Sequence, residues 1–180
     1  MSSPILEVKN VSKTFGNVKA LDSVDFSLQK GIIHGLLGEN GAGKSSLMNV
    51  LSGIYLPESG TIEIKNQKIQ KLNPDIASSL GVGMVHQEFR LIESFTIKDN
   101  LTLSKANIFS ENFDEAYKKY SEIFSLNSNF LTPINELSVG EKQKVEIMKL
   151  IFKNSEIMLL DEPTAVLTPQ ETLQLSLIHI

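Results

Sequence analysis

The chain has 180 residues, a length that suits about one domain, and its 41% hydrophobic and 21% charged residues supply enough apolar material for a core. Its net charge is −4 and Arg90 is the single arginine among 17 basic residues, which argues against a nucleic-acid partner because guanidinium forks and positive potential are both lacking. Cysteine is absent, which excludes disulfides and thiolate metal sites, and no apolar run approaches the ~18 residues that a bilayer span needs.

The first elements read as half-buried antiparallel strands. Leu6 and Val8 alternate with Glu7 and Lys9, Val24, Phe26 and Leu28 alternate with Asp25 and Ser27, and Ile62 and Ile64 repeat the pattern after the Pro57-Glu58-Ser59-Gly60 turn. Two runs are apolar without alternation, Ile32-Ile33-His34-Gly35-Leu36-Leu37 and Ile157-Met158-Leu159-Leu160, and these suit central strands buried on both faces of an α/β sheet. Helical spacing follows each of two further segments, through Leu47, Val50 and Leu51 and through Val145, Met148, Ile151 and Phe152. Residues 114–124 also read as a helix, and the stripe Phe113, Tyr117, Tyr120 and Phe124 is expected to be core.

Between the apolar run at 32–37 and the helix that follows lies Gly38-Glu39-Asn40-Gly41-Ala42-Gly43-Lys44-Ser45, which fits G-x-x-x-x-G-K-[ST] without a mismatch. Glycines 38, 41 and 43 let the backbone turn successive N–H groups toward phosphate oxygens, and the helix starting near Lys44 adds the positive end of its dipole. Backbone amides from Gly38 to Ser46 are expected to hold the phosphates, with Lys44 on the β- and γ-phosphates and Ser45 on magnesium. Asp161 and Glu162 end the second apolar run and so emerge at the carboxyl edge of the sheet, where ligands bind in open α/β folds. Asp161 is the expected magnesium partner, and Glu162 is placed to polarise an attacking water as general base.

The order of these motifs, with His86-Gln87 and Leu137-Ser138-Val139-Gly140-Glu141 between them, resembles the ABC transporter ATPases from about Leu6 to about Glu171. The resemblance implies an α/β P-loop NTPase core with an antiparallel β subdomain and an inserted α-helical subdomain at about 88–136, which would dock on a membrane subunit. It implies ATP and Mg2+ as cofactors. Phe15 matches the aromatic that stacks on adenine, with Val18 beside it, and Gln87 matches the glutamine that contacts magnesium. Ser138, Val139, Gly140 and Glu141 match the signature that closes over ATP held by a second cassette. Ser138 with Glu141 three residues on also forms a capping box in its own right. Met84–Phe89, Ser138–Ile147 and Thr164–Glu171 look like bacterial importers of nucleosides and simple sugars, although Thr168 stands where most of the family has an aspartate.

The implied partners are transmembrane permeases, a second cassette in the same polypeptide or in a homodimer, and, indirectly, an extracytoplasmic binding protein. The implied place is the cytoplasmic side of the membrane. The family's switch histidine follows one more helix and strand, for which the 18 residues after Glu162 leave no room, and His179 is wrongly placed for it. The cassette is therefore expected to occupy 1–174 and to be incomplete at its C-terminus. Residues 175–180 (Leu-Ser-Leu-Ile-His-Ile) resemble a translated sequencing adapter and are expected to be non-native. Two other readings stay open: a soluble ABC ATPase of the translation or DNA-maintenance type, and a non-catalytic nucleotide-binding module.

Overall fold

The alternating segments at the start of the chain do form an antiparallel sheet. The computed structural model describes residues 3–103 and 112–161; Glu162, the 164–171 segment, His179 and the 175–180 tail lie outside them. They form two compact units that divide between Val82 and Gly83.

In the first unit β1 (Leu6–Phe15) pairs with both β2 (Val18–Leu28) and β3 (Ser59–Ile64), and β4 (Gln67–Ile69) extends the far edge, giving the order β2-β1-β3-β4. Val8 lies opposite Phe26 on one side and Ile62 on the other, so the apolar positions of three strands share one face. Period two breaks at Asn10. Its φ of 52° marks an irregularity in both ladders, and the next inward residue is Val11 instead of the residue two after Val8. The Asn10 N–H, displaced from the regular ladder, donates to Asp25 Oδ1 at 2.7 Å. Helix α1 (Lys44–Leu51) buries Leu47, Met48, Val50 and Leu51, as the spacing predicts. Helix α2 (Pro74–Ser79) starts on a proline behind Asn73, whose side chain accepts from the Ile76 N–H.

One expectation fails in this unit. The run from Ile32 to Leu37 is neither a strand nor buried, and Leu37 is 96% exposed. A sheet strand needs ladders to satisfy its N–H and C=O groups, and none of the described strands pairs with this segment. Apolar composition alone supplies no such partner.

The second unit opens at Gly83, within β5 (Val82–Val85), which pairs with β6 (Ile157–Leu160). Between them come α3 (Ile97–Thr102), α4 (Phe113–Ile123), a 3-10 turn at Ile134–Glu136 and α5 (Val139–Phe152). The expected aromatic stripe is core: Tyr117, Tyr120 and Phe124 are buried, and Phe113 packs against them with Phe130 and Phe152. Tyr117 also donates its hydroxyl to the Ser128 carbonyl at 2.6 Å, and burial, helped by the Glu141 charge, pushes its pKa up to about 12.

Asn100 on α3 is fully buried and holds the loop before its own helix. Its Oδ1 accepts from the Ile92 N–H at 2.8 Å, and its Nδ2 donates to the carbonyls of Ile92 and Thr96 at 3.1 and 3.0 Å. Asn100→Leu keeps the volume and removes all three bonds, so we expect about 2 kcal/mol of destabilisation in denaturant unfolding. Asn100→Asp costs at least as much, because it keeps the acceptor for the Ile92 N–H but buries a carboxylate against the Ile92 and Thr96 carbonyls.

Candidate functional site

The glycine-rich loop before α1 is built from two left-handed glycines and an open helix end. Gly41 and Gly43 have φ of 84° and 88°, a region costly for any residue with a Cβ. Gly43 is the residue that caps α1, and no side chain caps the first turn, so the N–H groups that open this helix are not taken by a protein acceptor of that kind. Gly38 is not left-handed; its lack of a Cβ matters instead for its approach to Ala42, where a Cβ would come within 3.3 Å of the alanine Cβ. Lys44 arches back over the loop, donating from Nζ to the Gly38 and Glu39 carbonyls at 2.7 and 2.8 Å. An ammonium has three donors, so one proton remains to point toward an anion. Ser45 is exposed at the same helix end and Ser46 half-buried. Glu39 and Asn40 are exposed at the loop's outer edge, and the Ala42 N–H closes it by donating to the Glu39 carbonyl.

Phe15 is not core. It is 41% exposed at the end of β1, directly opposite Val18 in the β1–β2 ladder, so these two form one apolar ledge. Tyr55 meets the Phe15 ring edge-on at 5.0 Å between centroids, and the Lys13 ammonium lies 5.4 Å from its centre.

In the second unit Gln87 and Asp161 follow the carboxyl ends of two paired strands. The Asp161 N–H donates to the Val85 carbonyl at 3.4 Å, which sets Asp161 one residue past β6 beside the end of β5, and Gln87 stands exposed two residues past β5. This is the edge on which the sequence places ligand chemistry. His86, between Val85 and Gln87, has its pKa lowered, first by burial and then by the Arg90 charge, with Asp161 opposing.

Ser138 caps α5, and the expected capping box is present in both directions. Its Oγ accepts from the Glu141 N–H at 3.3 Å, while Glu141 Oε2 accepts from the Ser138 N–H and hydroxyl at 3.0 and 2.7 Å. Glu141 Oε1 is taken by the Ser128 hydroxyl at 2.6 Å, and hydrogen bonds from Ser128 and then Ser138 hold its carboxyl below the usual glutamate range. Both oxygens of Glu141 are thus committed to shaping this turn. Val139, next to the cap, is 67% exposed.

A family model described as ABC transporter matches residues 21–165, four-fifths of the chain. The chain belongs to the ABC transporter family. Among curated relatives it is 40% identical over 176 residues to the guanosine import ATP-binding protein NupO of Bacillus subtilis (strain 168), covering 95% of this chain and 34% of that protein. It is 42% identical over 179 residues to the ribose import ATP-binding protein RbsA of Caldanaerobacter subterraneus subsp. tengcongensis, covering 96% and 36%. The chain therefore spans about a third of the length of the curated relatives it matches. Among solved structures, a dimeric ATP-binding cassette in a post-hydrolysis state with ADP and Pi superposes with a TM-score of 0.79 at 27% identity, over 96% of this chain and 81% of that one.

Three features of this ABC cassette are not signalled by any motif in its sequence. Tyr55 meets Phe15, although the two are far apart in the chain. Glu146, 5% exposed on α5, accepts the Arg90 N–H at Oε1 (2.7 Å), and Lys149 one turn on donates to the Arg90 carbonyl (2.7 Å). Burial lowers the Lys149 pKa, with Glu146 at 3.9 Å acting against that effect.

Proposed function

We propose that this chain is the ATP-binding and ATP-hydrolysing part that energises an importer for nucleosides or simple sugars, attached to the cytoplasmic face of the membrane through permease partners. The observation that carries the reading is the uncapped start of α1, with left-handed Gly41 and Gly43 before it and the Lys44 ammonium arched over it. Such a helix end fits the oxygens of a polyphosphate, because oriented N–H dipoles and a fixed cation are in place before the anion arrives. The substrate class follows the relatives, whose names state import of guanosine and of ribose.

In this reading the amides of residues 38–46 and Lys44 bind the β- and γ-phosphates, and Phe15 with Val18 takes the adenine face. Ser45 in the first unit and Gln87 and Asp161 in the second each offer a hard oxygen donor, hydroxyl, amide and carboxylate, of the kind that magnesium takes. The metal's chemistry, when bound, is to neutralise charge on the transferring phosphoryl group. Glu162 accepts a proton from the attacking water. Ser138, Val139 and Gly140 present the start of α5 to nucleotide on a second cassette, whether in the same polypeptide or another copy, and Glu141 acts by shaping that turn. The dimeric state of the solved cassette supports this division of labour. Residues 88–136 serve as the helical subdomain within a cassette spanning 1–174.

Calorimetric titration tests the core of the proposal. ATP and ADP bind with magnesium present and AMP does not, because the loop grips the β-phosphate. AMP binding as tightly as ATP would remove the phosphate loop from the account.

A further inference from the structure

Residues 86–90 run from the end of β5 to Arg90, and Arg90 is held at both of its backbone polar groups. Glu146 Oε1 takes its N–H and Lys149 Nζ takes its carbonyl, each at 2.7 Å, from one face of α5. The carboxylate is buried, and its side chain crosses 56 residues of sequence to reach one main-chain amide. A buried carboxylate on a helix is costly to keep unless it makes strong bonds, and a charge-assisted bond to a main-chain N–H is one such bond. The chain on either side is anchored too: Val85 sits in β5 and accepts from the Asp161 N–H, and Ile92 is tied to Asn100 at both its N–H and its carbonyl.

We infer that Glu146 and Lys149 are positioning residues that fix the end of the Gln87 segment to α5, so that a displacement of the helix beginning at Ser138 is passed to the glutamine. Gln87 lies three residues before the clamped amide, on a span with Val85 fixed at one end and Arg90 at the other. A shift of α5 along its axis is transmitted through two short bonds to Arg90 and shortens or extends that span. Neither side chain needs to touch nucleotide for this. Only the last step, from Gln87 to the metal, rests on the functional reading above.

The test uses the full chain with Glu146→Leu, Glu146→Gln, Lys149→Met and, as reference, Gln87→Ala. Hydrogen exchange is followed at residues 87–90, with the amides of Ile147 and Met148 in α5 reporting the integrity of the helix. Glu146→Leu speeds exchange at Arg90 about tenfold, as expected for the loss of one hydrogen bond, while Ile147 and Met148 are unchanged. Glu146→Gln keeps an acceptor oxygen and restores protection, and Lys149→Met, which removes the donor to the Arg90 carbonyl, loosens the same residues. If Glu146→Leu disturbs α5 as well, Lys149→Met and the glutamine rescue decide the matter. Unchanged exchange at Arg90 in both Leu and Met variants overturns the inference.

A second readout separates positioning from stability: ATP affinity with magnesium divided by affinity in EDTA. Glu146→Leu lowers this ratio severalfold as Gln87→Ala does, with affinity in EDTA unchanged. A loosened Arg90 with an unchanged ratio, while Gln87→Ala lowers it, overturns the coupling to Gln87. If Gln87→Ala itself leaves the ratio alone, the metal role of Gln87 fails and the clamp measured by exchange stands.

Discussion

Lys44→Ala lowers ATP affinity by at least about a hundredfold, or about 2.7 kcal/mol, in a calorimetric titration with magnesium. The size follows from what the ammonium does. It ties the Gly38 and Glu39 carbonyls at 2.7 and 2.8 Å and so braces the loop, and in the proposed function its remaining proton is the one that bonds to phosphate. Alanine loses the bond and also frees the loop to fluctuate. Lys44→Arg keeps the charge but carries a planar fork in place of a compact three-donor group, so it recovers only part of the affinity. The folded chain loses little stability in either variant, because Lys44 is only half-buried and its partners are exposed carbonyls that water can reach. Raising the salt concentration narrows the gap between wild type and alanine, since part of the attraction is screened. An alanine variant within threefold of wild type would remove the lysine from phosphate binding and leave the helix dipole as the main attraction.

What the sequence made legible was contiguous. The glycine-rich turn before α1, the cap at Ser138 and the stripe through Phe113, Tyr117, Tyr120 and Phe124 each depend on residues within one turn or one helix, where spacing alone determines geometry. Long-range partners were not legible. Glu146 and Lys149 sit three apart on a helix, and no local pattern points to their partner, the main chain of Arg90. Nothing at Tyr55 announces Phe15. The run Ile32 to Leu37 shows the opposite error: its composition suits a strand covered on both sides, but burial is a property of neighbours, and the described strands supply none. Asn10 shows a milder form. Alternation was right up to the residue where a positive φ reset the inward face from Val8 to Val11.

Gly43→Ala lowers stability by about 2–5 kcal/mol in denaturant unfolding, the sum of left-handed strain of about 1–2 kcal/mol and an overpacking cost of about 1–3 kcal/mol. The clash is with backbone. A Cβ on Gly43 would lie 2.3 Å from the Ala20 carbonyl oxygen and 3.2 Å from Leu21 Cδ2, and Ala20 belongs to β2, which is held to β1 along its length. Relief therefore requires α1 to move away from the strand, which carries the first-turn N–H groups away from any phosphate they would meet. Two further glycines separate the contributions. Gly41→Ala has φ of 84° but meets nothing within 4 Å among the described residues, so it shows the strain alone, about 1–2 kcal/mol. Gly35→Ala has neither a left-handed φ nor a neighbour within 4 Å and is expected to be neutral within about 0.5 kcal/mol. The order Gly43, then Gly41, then Gly35 is the prediction. Equal costs at 43 and 41 would mean that β2 yields to the new methyl and that the close approach of helix to strand does not set the loop's shape.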